Sequence, residues 1–405
     1  MEKSCQLIRS IGEEILGDEN LEKLLTHKNT APGRVVAYDG FEPSGRMHIA
    51  QGLLRAHNVN KFIKAGVRFK FWVADWFALM NHKMGGDINK IQKAGKLMIH
   101  TWKACGMDMD AVDSDGKPMI EFIWSSEEIN KRSDDYWKLV LDIGTKFSLT
   151  RIKRCTQIMG RKEENENDSN RDDLIKLNND IDTLFLTTDM DEIESLKGSI
   201  KSTMNMLLDN NKPAISNNTN LSELAASQIF YPVMQCADIF FLGVDVCSLG
   251  IDQKKVNVLA LEYCDKIKRK NKPIIVSHHM IMGLDGSDKM SKSNPDNTIF
   301  MDDGTTDVKR KITKAFCEPG NITKNPLLDW LKWLILPITE SITINNTVYT
   351  DYTKLENDYK EHLIHPSDLK KSMIETINKL LEPVSEYFAV NIEASQLLEM
   401  VRKYL

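Results

Sequence analysis

Short apolar runs alternate with segments of helical periodicity through the first 300 residues of the chain. The apolar runs are short, rich in β-branched and aromatic residues, and bounded by turn residues, so they predict strands at 34–40, 67–76, 119–124, 237–245 and 273–280. The periodic segments between them predict helices at 48–66, 87–105, 223–236 and 253–268. This alternation predicts a Rossmann-like α/β fold, a parallel sheet with helices on both faces.

Ligands of such sheets bind at the carboxyl ends of the strands. The loops in which we expect chemistry are therefore 39–48, 75–86, 243–253 and 281–297. Asp75 opens the second of these loops and has two interpretations, as a helix-start carboxylate or as an active-site residue.

The pattern divides the chain into five segments. From about residue 305 it becomes helical without clear strand alternation, with the best candidate helices at 306–316, 326–335, 366–382 and 392–404. Residues 163–220 carry 13 acidic and 5 basic residues and many asparagines, which indicates an insertion that is partly helical and partly disordered. The predicted segments are N-terminal helices at 1–32, two halves of the α/β domain at 33–162 and 221–304, the insertion at 163–220, and a helical domain at 305–405.

Composition sets broad limits on function. The 405 residues are 41% hydrophobic and 27% charged with a net charge of −5, so the whole chain presents no basic field typical of DNA-binding proteins. The seven cysteines are scattered without a CxxC pair, which favours free thiols and disfavours a zinc site. The sequence begins without an apolar signal region and contains no run of 18 apolar residues, so we expect a cytoplasmic protein that does not enter a membrane.

Two polar loops at predicted strand ends carry the candidate chemistry. The stretch GFEPSGRMHIAQG (40–52) lies between a strand and a helix, where free backbone N–H groups suit a phosphate. The stretch GLDGSDKMSKSNPDN (283–297) holds Lys289 and Lys292 three residues apart. Taken singly, each has a plainer interpretation, as a turn capped by His48 and as a solvated surface loop.

Together the two loops resemble the paired signatures of class I aminoacyl-tRNA synthetases. The second signature is intact at 289–293 (KMSKS), whereas the first is altered at 48–51 (HIAQ). The resemblance implies that Lys289 and Lys292 neutralise the departing phosphates of ATP and that His48 and Gln51 donate hydrogen bonds to them. It also places Gly40, Ala50, Met290 and Ser291 at the ATP. The family usually has glycine in place of Ala50, so the added methyl narrows the approach of adenine.

The stretch 231–255 (YPVMQCADIFFLGVDVCSLGIDQKK) resembles the amino-acid pocket of tyrosyl-tRNA synthetases of the eukaryotic and archaeal type. The resemblance assigns Asp238 and Tyr38 to the phenolic hydroxyl, and Tyr231, Gln235 and Gln253 to the α-ammonium group. The spacing of Tyr231, Gln235 and Asp238 also places them on one face of a helix. Taken alone, Tyr231 has the plainer interpretation of a packing residue and Asp238 that of a local cap.

The resemblance extends to contacts with transfer RNA. HPSDLKK (365–371) is similar to the family's anticodon-binding element and assigns His365 and Asp368 to the first anticodon base. An alternative is that this stretch only caps the next helix. Tyr349 is the nearest substitute for the aromatic residue that the family supplies upstream. The basic stretch 150–162 predicts a backbone-binding patch that includes Arg151, Lys153 and Arg154, or else a solvated helix face.

The expected activity is tyrosine–tRNA ligation, with tyrosine, ATP accompanied by Mg²⁺, and tRNA(Tyr) as substrates and with no tightly bound metal. We also expect a homodimer through residues 137–160, where Trp137, Phe147 and Ile152 are the apolar candidates. Three alternatives stay open at this point: a tryptophanyl-tRNA synthetase, a non-catalytic RNA-binding relative, and a cofactor adenylyltransferase. The Tyr38 and Asp238 pair disfavours the first alternative, the two lysines of the signature loop disfavour the second, and the helical domain disfavours the third.

Overall fold

The computed structural model describes residues 2–29, 35–156, 183, 187, 190–210, 225–290 and 294–404. The chain divides into two compact units, one formed by Met1–Cys155 with Phe230–Leu405 and the other by Thr156–Ile229. The sequence analysis divided the chain into five segments, which differ from these two units, and that division stays a prediction. Within the described residues, no helix is long and apolar enough to cross a membrane.

A six-stranded sheet forms the centre of the first unit. Its strands, in chain order, are β1 Glu14–Leu16, β2 Val36–Phe41, β3 Arg68–Val73, β4 Ile120–Trp124, β5 Val246–Gly250 and β6 Ile274–His278. They lie in the order β1-β6-β5-β2-β3-β4. All pairs are parallel except the edge strand β1, which is antiparallel to β6. The Rossmann-like fold is therefore confirmed, although the pattern did not predict the short strand β1.

The helices in chain order are α1 Glu2–Arg9, α2 Leu21–Asn29, α3 Arg55–Lys64, α4 Asp75–Met80, α5 Ile88–Ala104, α6 Ser125–Lys131, α7 Ser133–Lys146, α8 Leu149–Lys153, α9 Met190–Asn210, α10 Ala226–Phe241, α11 Lys254–Lys266, α12 Thr305–Lys314, α13 Pro326–Trp330, α14 Leu336–Thr339, α15 Tyr352–Lys360, α16 Pro366–Val390 and α17 Ile392–Arg402. Single π-helical turns at Ala50–Leu54 and Leu331–Ile335 precede α3 and α14. The helices predicted from sequence correspond to these, but α10 and α16 continue to Phe241 and Val390, beyond the ends predicted at 236 and 382.

One predicted strand is wrong. Residues 237–245 were expected to be a strand, but α10 continues to Phe241 and the strand begins only at Val246. Nearly every residue of α10 from Tyr231 to Phe241 is buried, so this helix shows no polar face to reveal its period. A short apolar run without periodicity does not distinguish a buried helix from a buried strand.

The C-terminal region contains a hairpin that the helical pattern did not predict. Strands β7 Ile342–Ile344 and β8 Thr347–Tyr349 pair antiparallel across a two-residue turn. Both turn residues, Asn345 and Asn346, have positive φ (48° and 64°). Asparagine tolerates this left-handed backbone, which the tight hairpin turn requires.

Candidate active site

The strand order of the sheet has a switch point between β2 and β5, which are neighbours in the sheet but are followed by strands on opposite sides. Strands β2, β3 and β4 extend one half of the sheet, and β5 and β6 extend the other half from β2. The carboxyl ends of β2 and β5 therefore border a crevice where ligands of doubly wound sheets bind. Successive side chains of β2 point to opposite faces, so Tyr38 and Asp39 line two different sides of this crevice.

Tyr38 lies on the side of β2 that carries Asp238 of α10. Both side chains are 1% exposed. The Tyr38 hydroxyl lies over Gly40, where an added Cβ would stand 3.2 Å from the oxygen. Glycine at position 40 thus leaves space for the Tyr38 ring. Burial raises the pKa of Tyr38 well above 10, and the nearby Asp238 carboxyl raises it further. The structure thus brings together the two residues expected to recognise a phenol.

Asp238 has one satisfied and one unsatisfied carboxylate oxygen. Its Oδ1 accepts a hydrogen bond of 2.8 Å from the hydroxyl of Tyr136, a residue that the sequence analysis missed. Its Oδ2 is buried and has no hydrogen-bond partner among the described residues. Burial raises the pKa of Asp238 well above its ordinary value, while Tyr136 and the facing indole of Trp72 oppose that rise. An unsatisfied buried acceptor is costly, and a donor from a ligand would relieve it.

Tyr231 lies one turn before Gln235 on α10 and contacts a second acidic residue. The Tyr231 hydroxyl donates a hydrogen bond to Oε1 of Glu42, which also accepts from Nδ2 of Asn81 at 2.6 Å. Glu42 follows β2 directly, within the GFEPSG stretch, so its position in the first signature was the signal that sequence analysis left unused. A carboxylate next to the residue expected to bind an ammonium group suits a cationic ligand.

Gln235 and Gln253 meet across the crevice. Nε2 of Gln235 donates to Oε1 of Gln253 at 3.2 Å, which joins α10 to the turn after β5. Oε1 of Gln235 is buried without a partner among the described residues. The residues assigned to the α-ammonium group therefore lie together and retain an available acceptor, as an ammonium ligand requires.

The first signature forms an irregular turn. The backbone N–H of Gln51 donates to Nδ1 of His48 at 3.3 Å, so His48 does cap the turn that starts the π-helical segment. The carbonyl of Gln51 accepts from the Trp102 indole at 2.7 Å, which fixes the backbone, whereas Oε1 of Gln51 is buried without a partner among the described residues. Ala50 is partly exposed.

The second signature is anchored at Met290. This side chain is 7% exposed within the hydrophobic core, and its backbone N–H donates to the carbonyl of Ile281 at 3.1 Å. Lys289, beside it, is half exposed and pairs with Asp252 at 3.7 Å, at the carboxyl end of β5. The signature loop therefore reaches the crevice. Ser291 and Lys292 lie outside the described residues.

Backbone hydrogen bonds connect the two signatures. The N–H of Ile49 donates to the carbonyl of Ile299 at 2.8 Å, and the N–H of Met301 donates to the carbonyl of Met47 at 2.9 Å. Arg46 extends this connection with an ion pair of 2.8 Å to Asp302. The segment that follows the KMSKS loop is thus held against the segment that contains His48, although about 250 residues separate them in sequence.

The opposite side of β2 carries an ion pair that sequence analysis did not predict. Arg55 contacts Oδ2 of Asp39 at 2.8 Å, and both side chains are largely buried. Burial raises the pKa of Asp39 to about 6, although Arg55 counteracts part of that rise. Burial and the nearby Arg55 lower the pKa of His278 to about 4. The charges on this side are separated from the Asp238 pocket by the strand itself.

The contacts of Asp75 favour its interpretation as a helix-start carboxylate. The buried carboxylate of Asp75 accepts hydrogen bonds from the hydroxyls of Ser125 and Ser126, both at 2.6 Å, and from Nε2 of Gln92 at 3.1 Å. It also accepts from the backbone N–H groups of Trp76 and Ser126. These donors join the starts of α4 and α6, so Asp75 is a helix-start carboxylate whose acceptors are occupied.

The residues predicted to bind RNA backbone differ in availability. Arg151 is engaged within the protein, because Nη2 and Nε each lie 3.0 Å from the Glu262 carboxylate and Nη1 lies 3.0 Å from Sγ of Cys155. Arg154 is exposed and Lys153 is partly exposed. Of the three, Arg154 is the most accessible to a phosphate.

The predicted anticodon residues lie beside the β7–β8 hairpin. Asp368 accepts from Nδ2 of Asn345 at 2.7 Å, and His365 caps α16 by accepting from the backbone N–H of Ser367. Capping by His365 is therefore observed, and Asp368 is partly exposed. Tyr349 is 5% exposed and donates to Asp358 at 2.9 Å, so the expectation that it offers a stacking face is wrong.

Comparison with known proteins identifies relatives along the whole chain. The family model described as class I tRNA synthetases (W and Y) matches residues 30–171 and 169–382. The cytoplasmic tyrosine–tRNA ligase 1 of Arabidopsis thaliana is 44% identical over 412 residues, which cover 100% of this chain and 89% of the plant protein. The tyrosine–tRNA ligase of Thermococcus sibiricus is 30% identical over 437 residues, which cover 99% of each protein.

A solved structure shows the same fold. The tyrosyl-tRNA synthetase of Leishmania major in complex with tyrosinol matches with a TM-score of 0.79 and 41% sequence identity. The match covers 100% of this chain and 65% of the Leishmania chain, so this chain spans about two thirds of that relative.

Proposed function

The chain belongs to the class I aminoacyl-tRNA synthetases, among the tyrosine–tRNA ligases of the eukaryotic and archaeal type, and from this premise we propose the reaction and the residues that perform it. In the first step the carboxylate of tyrosine attacks the α-phosphate of ATP, which yields tyrosyl-adenylate and pyrophosphate. In the second step the tyrosyl group passes to the terminal adenosine of tRNA(Tyr) and AMP leaves. Neither step requires a nucleophile from the protein.

Asp238 selects tyrosine by its phenolic hydroxyl. The observation that carries this proposal is the buried Oδ2 of Asp238, which has no partner among the described residues and lies by Tyr38. A phenol donates a hydrogen bond to this oxygen, whereas phenylalanine leaves it unsatisfied. Tyr231, Gln235 and Gln253 hold the α-ammonium group, supported by the Gln235–Gln253 contact.

The two signatures stabilise the charge that develops on the phosphates. MgATP is the substrate, with Gly40, Ala50, Met290 and Ser291 along its path. His48 and Gln51 donate to phosphate oxygens, and Lys289 and Lys292 neutralise the departing pyrophosphate. Positioned cations of this kind accelerate a step in which negative charge grows in the transition state. Among the described residues, no group of three or more His, Cys, Asp or Glu side chains is placed to hold a metal ion.

Transfer RNA binds along the exposed basic residues and the C-terminal helices. His365 and Asp368 recognise the first anticodon base, for which an acceptor at Asp368 suits the N–H groups of guanine. Arg154 and Lys153 contact the RNA backbone, and Arg151 joins them only if RNA displaces Glu262. These contacts fix the register of the RNA and make its binding dependent on salt.

The active form is a homodimer in the cytoplasm. Trp137, Leu141 and Leu149 of α7 and α8 are 40%, 65% and 45% exposed, which supports an apolar contact between two copies. Ile152, expected to contribute, is 3% exposed and belongs to the core of its own chain. Phe147 is partly buried. The plant relative is named cytoplasmic, which supports the expected location.

Amino-acid-dependent exchange of pyrophosphate into ATP tests the proposed reaction. We expect exchange with tyrosine and none above background with tryptophan or phenylalanine. Charging of total tRNA with labelled tyrosine tests the second step. Exchange with tryptophan would show that the pocket assignment is wrong, and no exchange with any amino acid would favour a non-catalytic RNA-binding relative.

A further inference from the structure

The Asp238 carboxylate receives its only hydrogen bond of 3.0 Å or less, among the described residues, from Tyr136. Tyr136 belongs to α7, lies 102 positions before Asp238, and is 0% exposed. Its hydroxyl has two acceptors in reach, Oδ1 of Asp238 at 2.8 Å and the carbonyl of Met234 at 3.4 Å. Because a hydroxyl has one proton to donate, the shorter contact with the carboxyl group takes it.

We propose that Tyr136 is a positioning residue for amino-acid selection, which occupies Oδ1 of Asp238 and turns its Oδ2 toward the substrate hydroxyl. This inference rests on the proposed function, because it concerns how the same pocket discriminates tyrosine from phenylalanine. The Tyr136 hydroxyl does not contact the substrate in this account. It acts through Asp238.

The physical reason lies in the charge of the acceptor. Opposite phenylalanine, Oδ2 of Asp238 stays unpaired, and an unpaired buried carboxylate costs far more than an unpaired neutral carboxyl group. Rejection of phenylalanine is therefore strong only while Asp238 is charged. Burial favours the neutral form, and the hydrogen bond from Tyr136 opposes it together with the facing indole of Trp72. Tyr38 of β2 also faces Asp238, and burial raises its pKa well above 10, so it stays an uncharged neighbour.

The geometry of Asp238 also determines which of its oxygens can accept a hydrogen bond from the substrate hydroxyl. With Oδ1 occupied by Tyr136, Oδ2 is the oxygen of Asp238 that has no hydrogen-bond partner among the described residues. A phenol that enters must therefore donate its proton to Oδ2. A neutral Asp238 would carry a proton itself and would no longer require a donor.

The experiment compares Tyr136→Phe with Tyr263→Phe. Tyr263 is a matched control, because it is 3% exposed and its hydroxyl donates to a carboxylate of the same helix α7, that of Asp142, rather than to Asp238. The ratio of kcat/KM for tyrosine to kcat/KM for phenylalanine is measured by pyrophosphate exchange. We expect Tyr136→Phe to lower this ratio by about 10- to 100-fold, as expected for loss of a hydrogen bond to a charged group, with the KM for ATP unchanged.

A pH profile separates this role from loosening of the fold. In the wild-type protein the ratio rises with pH as Asp238 ionises, and in Tyr136→Phe this rise moves to higher pH. In an Asp238→Asn background, Tyr136→Phe lowers the ratio no further, because the charge that it supports is absent. An unshifted profile, an equal loss in Tyr263→Phe, or an additive loss in the Asn background would overturn the proposal.

If the Tyr136→Phe variant does not fold, a second replacement at position 136 tests the proposal. Incorporation of 3-fluorotyrosine at position 136 retains the ring and makes the hydroxyl a stronger donor, so the rise of the ratio moves to lower pH. A profile that does not move would contradict the proposal. Wild-type protein without tyrosine-dependent exchange would instead refute the proposed function, which keeps the two failures distinct.

Discussion

Tyr231 and Glu42 join the amino-acid side of the crevice to the first signature. The Tyr231 hydroxyl donates to the Glu42 carboxylate, which connects helix α10 to the loop after β2. The pair lies 189 positions apart in sequence. Lys83 approaches the other carboxylate oxygen at 3.9 Å, too distant for a hydrogen bond. The negative charge of Glu42 therefore lies beside Tyr231, where it attracts the ammonium group of an amino acid.

Glu42→Gln should weaken tyrosine binding. The substitution keeps the size of the side chain and removes the charge, so we expect the KM for tyrosine to rise by about tenfold while the KM for ATP changes little. Tyr359→Phe is the control, since its hydroxyl donates to a backbone carbonyl in the C-terminal region. Steady-state exchange kinetics measure both constants. A rise in the KM for ATP alone would place Glu42 elsewhere in the site.

Lys289→Ala should slow activation far more than it weakens tyrosine binding. Lys289 acts on phosphates in the transition state, so we expect kcat for exchange to fall by about 100-fold while the Kd for tyrosine stays nearly constant. Calorimetry gives the Kd. Lys309→Ala removes an exposed lysine of α12 as the control. A parallel loss of binding and rate would refute the proposed action of Lys289 on the leaving group.

Acid should destabilise the fold through two partly buried neutral histidines. Burial lowers the pKa of His57 and of His278 to about 4, so both are neutral in the folded protein and charge on unfolding at pH below about 6.5. The free energy of unfolding should therefore decrease as pH falls from 6.5 to 4. His279 contributes oppositely, because Asp329 and Glu13 raise its pKa, and its stabilisation is lost as pH rises through that value.

Urea unfolding at a series of pH values measures this dependence. His57→Gln should flatten the decrease between pH 6.5 and 4, since glutamine does not titrate. His27→Gln, at an exposed position, serves as the comparison. If both variants retain the wild-type slope, His57 does not contribute to the loss of stability in acid.

Removal of the acidic insertion should leave activation nearly intact. Residues 163–220 contribute none of the proposed site residues, and their net negative charge opposes contact with RNA. A chain in which a short Gly-Ser linker replaces them should retain tyrosine-dependent exchange at a rate close to that of the full chain. Circular dichroism verifies folding. A folded but inactive product would show that the insertion supports catalysis.

Local spacing was sufficient to predict much of the candidate site. Tyr231 and Gln235 were expected on one helix face from their separation of four residues, and α10 places them so. Spacing put Asp238 on the same side, and α10 does continue through it, although the pattern had assigned Asp238 to the strand 237–245. The signatures at strand ends followed from the alternation of strands and helices. These features depend on short stretches of sequence, where periodicity and turn residues act directly.

Contacts between distant residues escaped sequence analysis. Tyr136 and Asp238, or Arg55 and Asp39, are joined only by the tertiary fold, and nothing in their local sequence indicates the partner. The burial of Tyr349 escaped for the same reason, since its exposure depends on how the hairpin packs. The strand wrongly predicted at 237–245 has a different cause, which is local. Complete burial removes the polar positions whose spacing would indicate a helix.

The measurement that tests the account most directly is the selectivity of Asp238→Asn. The ratio of kcat/KM for tyrosine to that for phenylalanine is determined by pyrophosphate exchange for the wild-type protein and for this variant. We expect the ratio to fall by at least about tenfold. With phenylalanine bound, a neutral amide left without a hydrogen bond at position 238 costs less free energy than an unpaired carboxylate. A ratio equal to that of the wild-type protein would show that the phenolic hydroxyl is recognised elsewhere and would contradict the account.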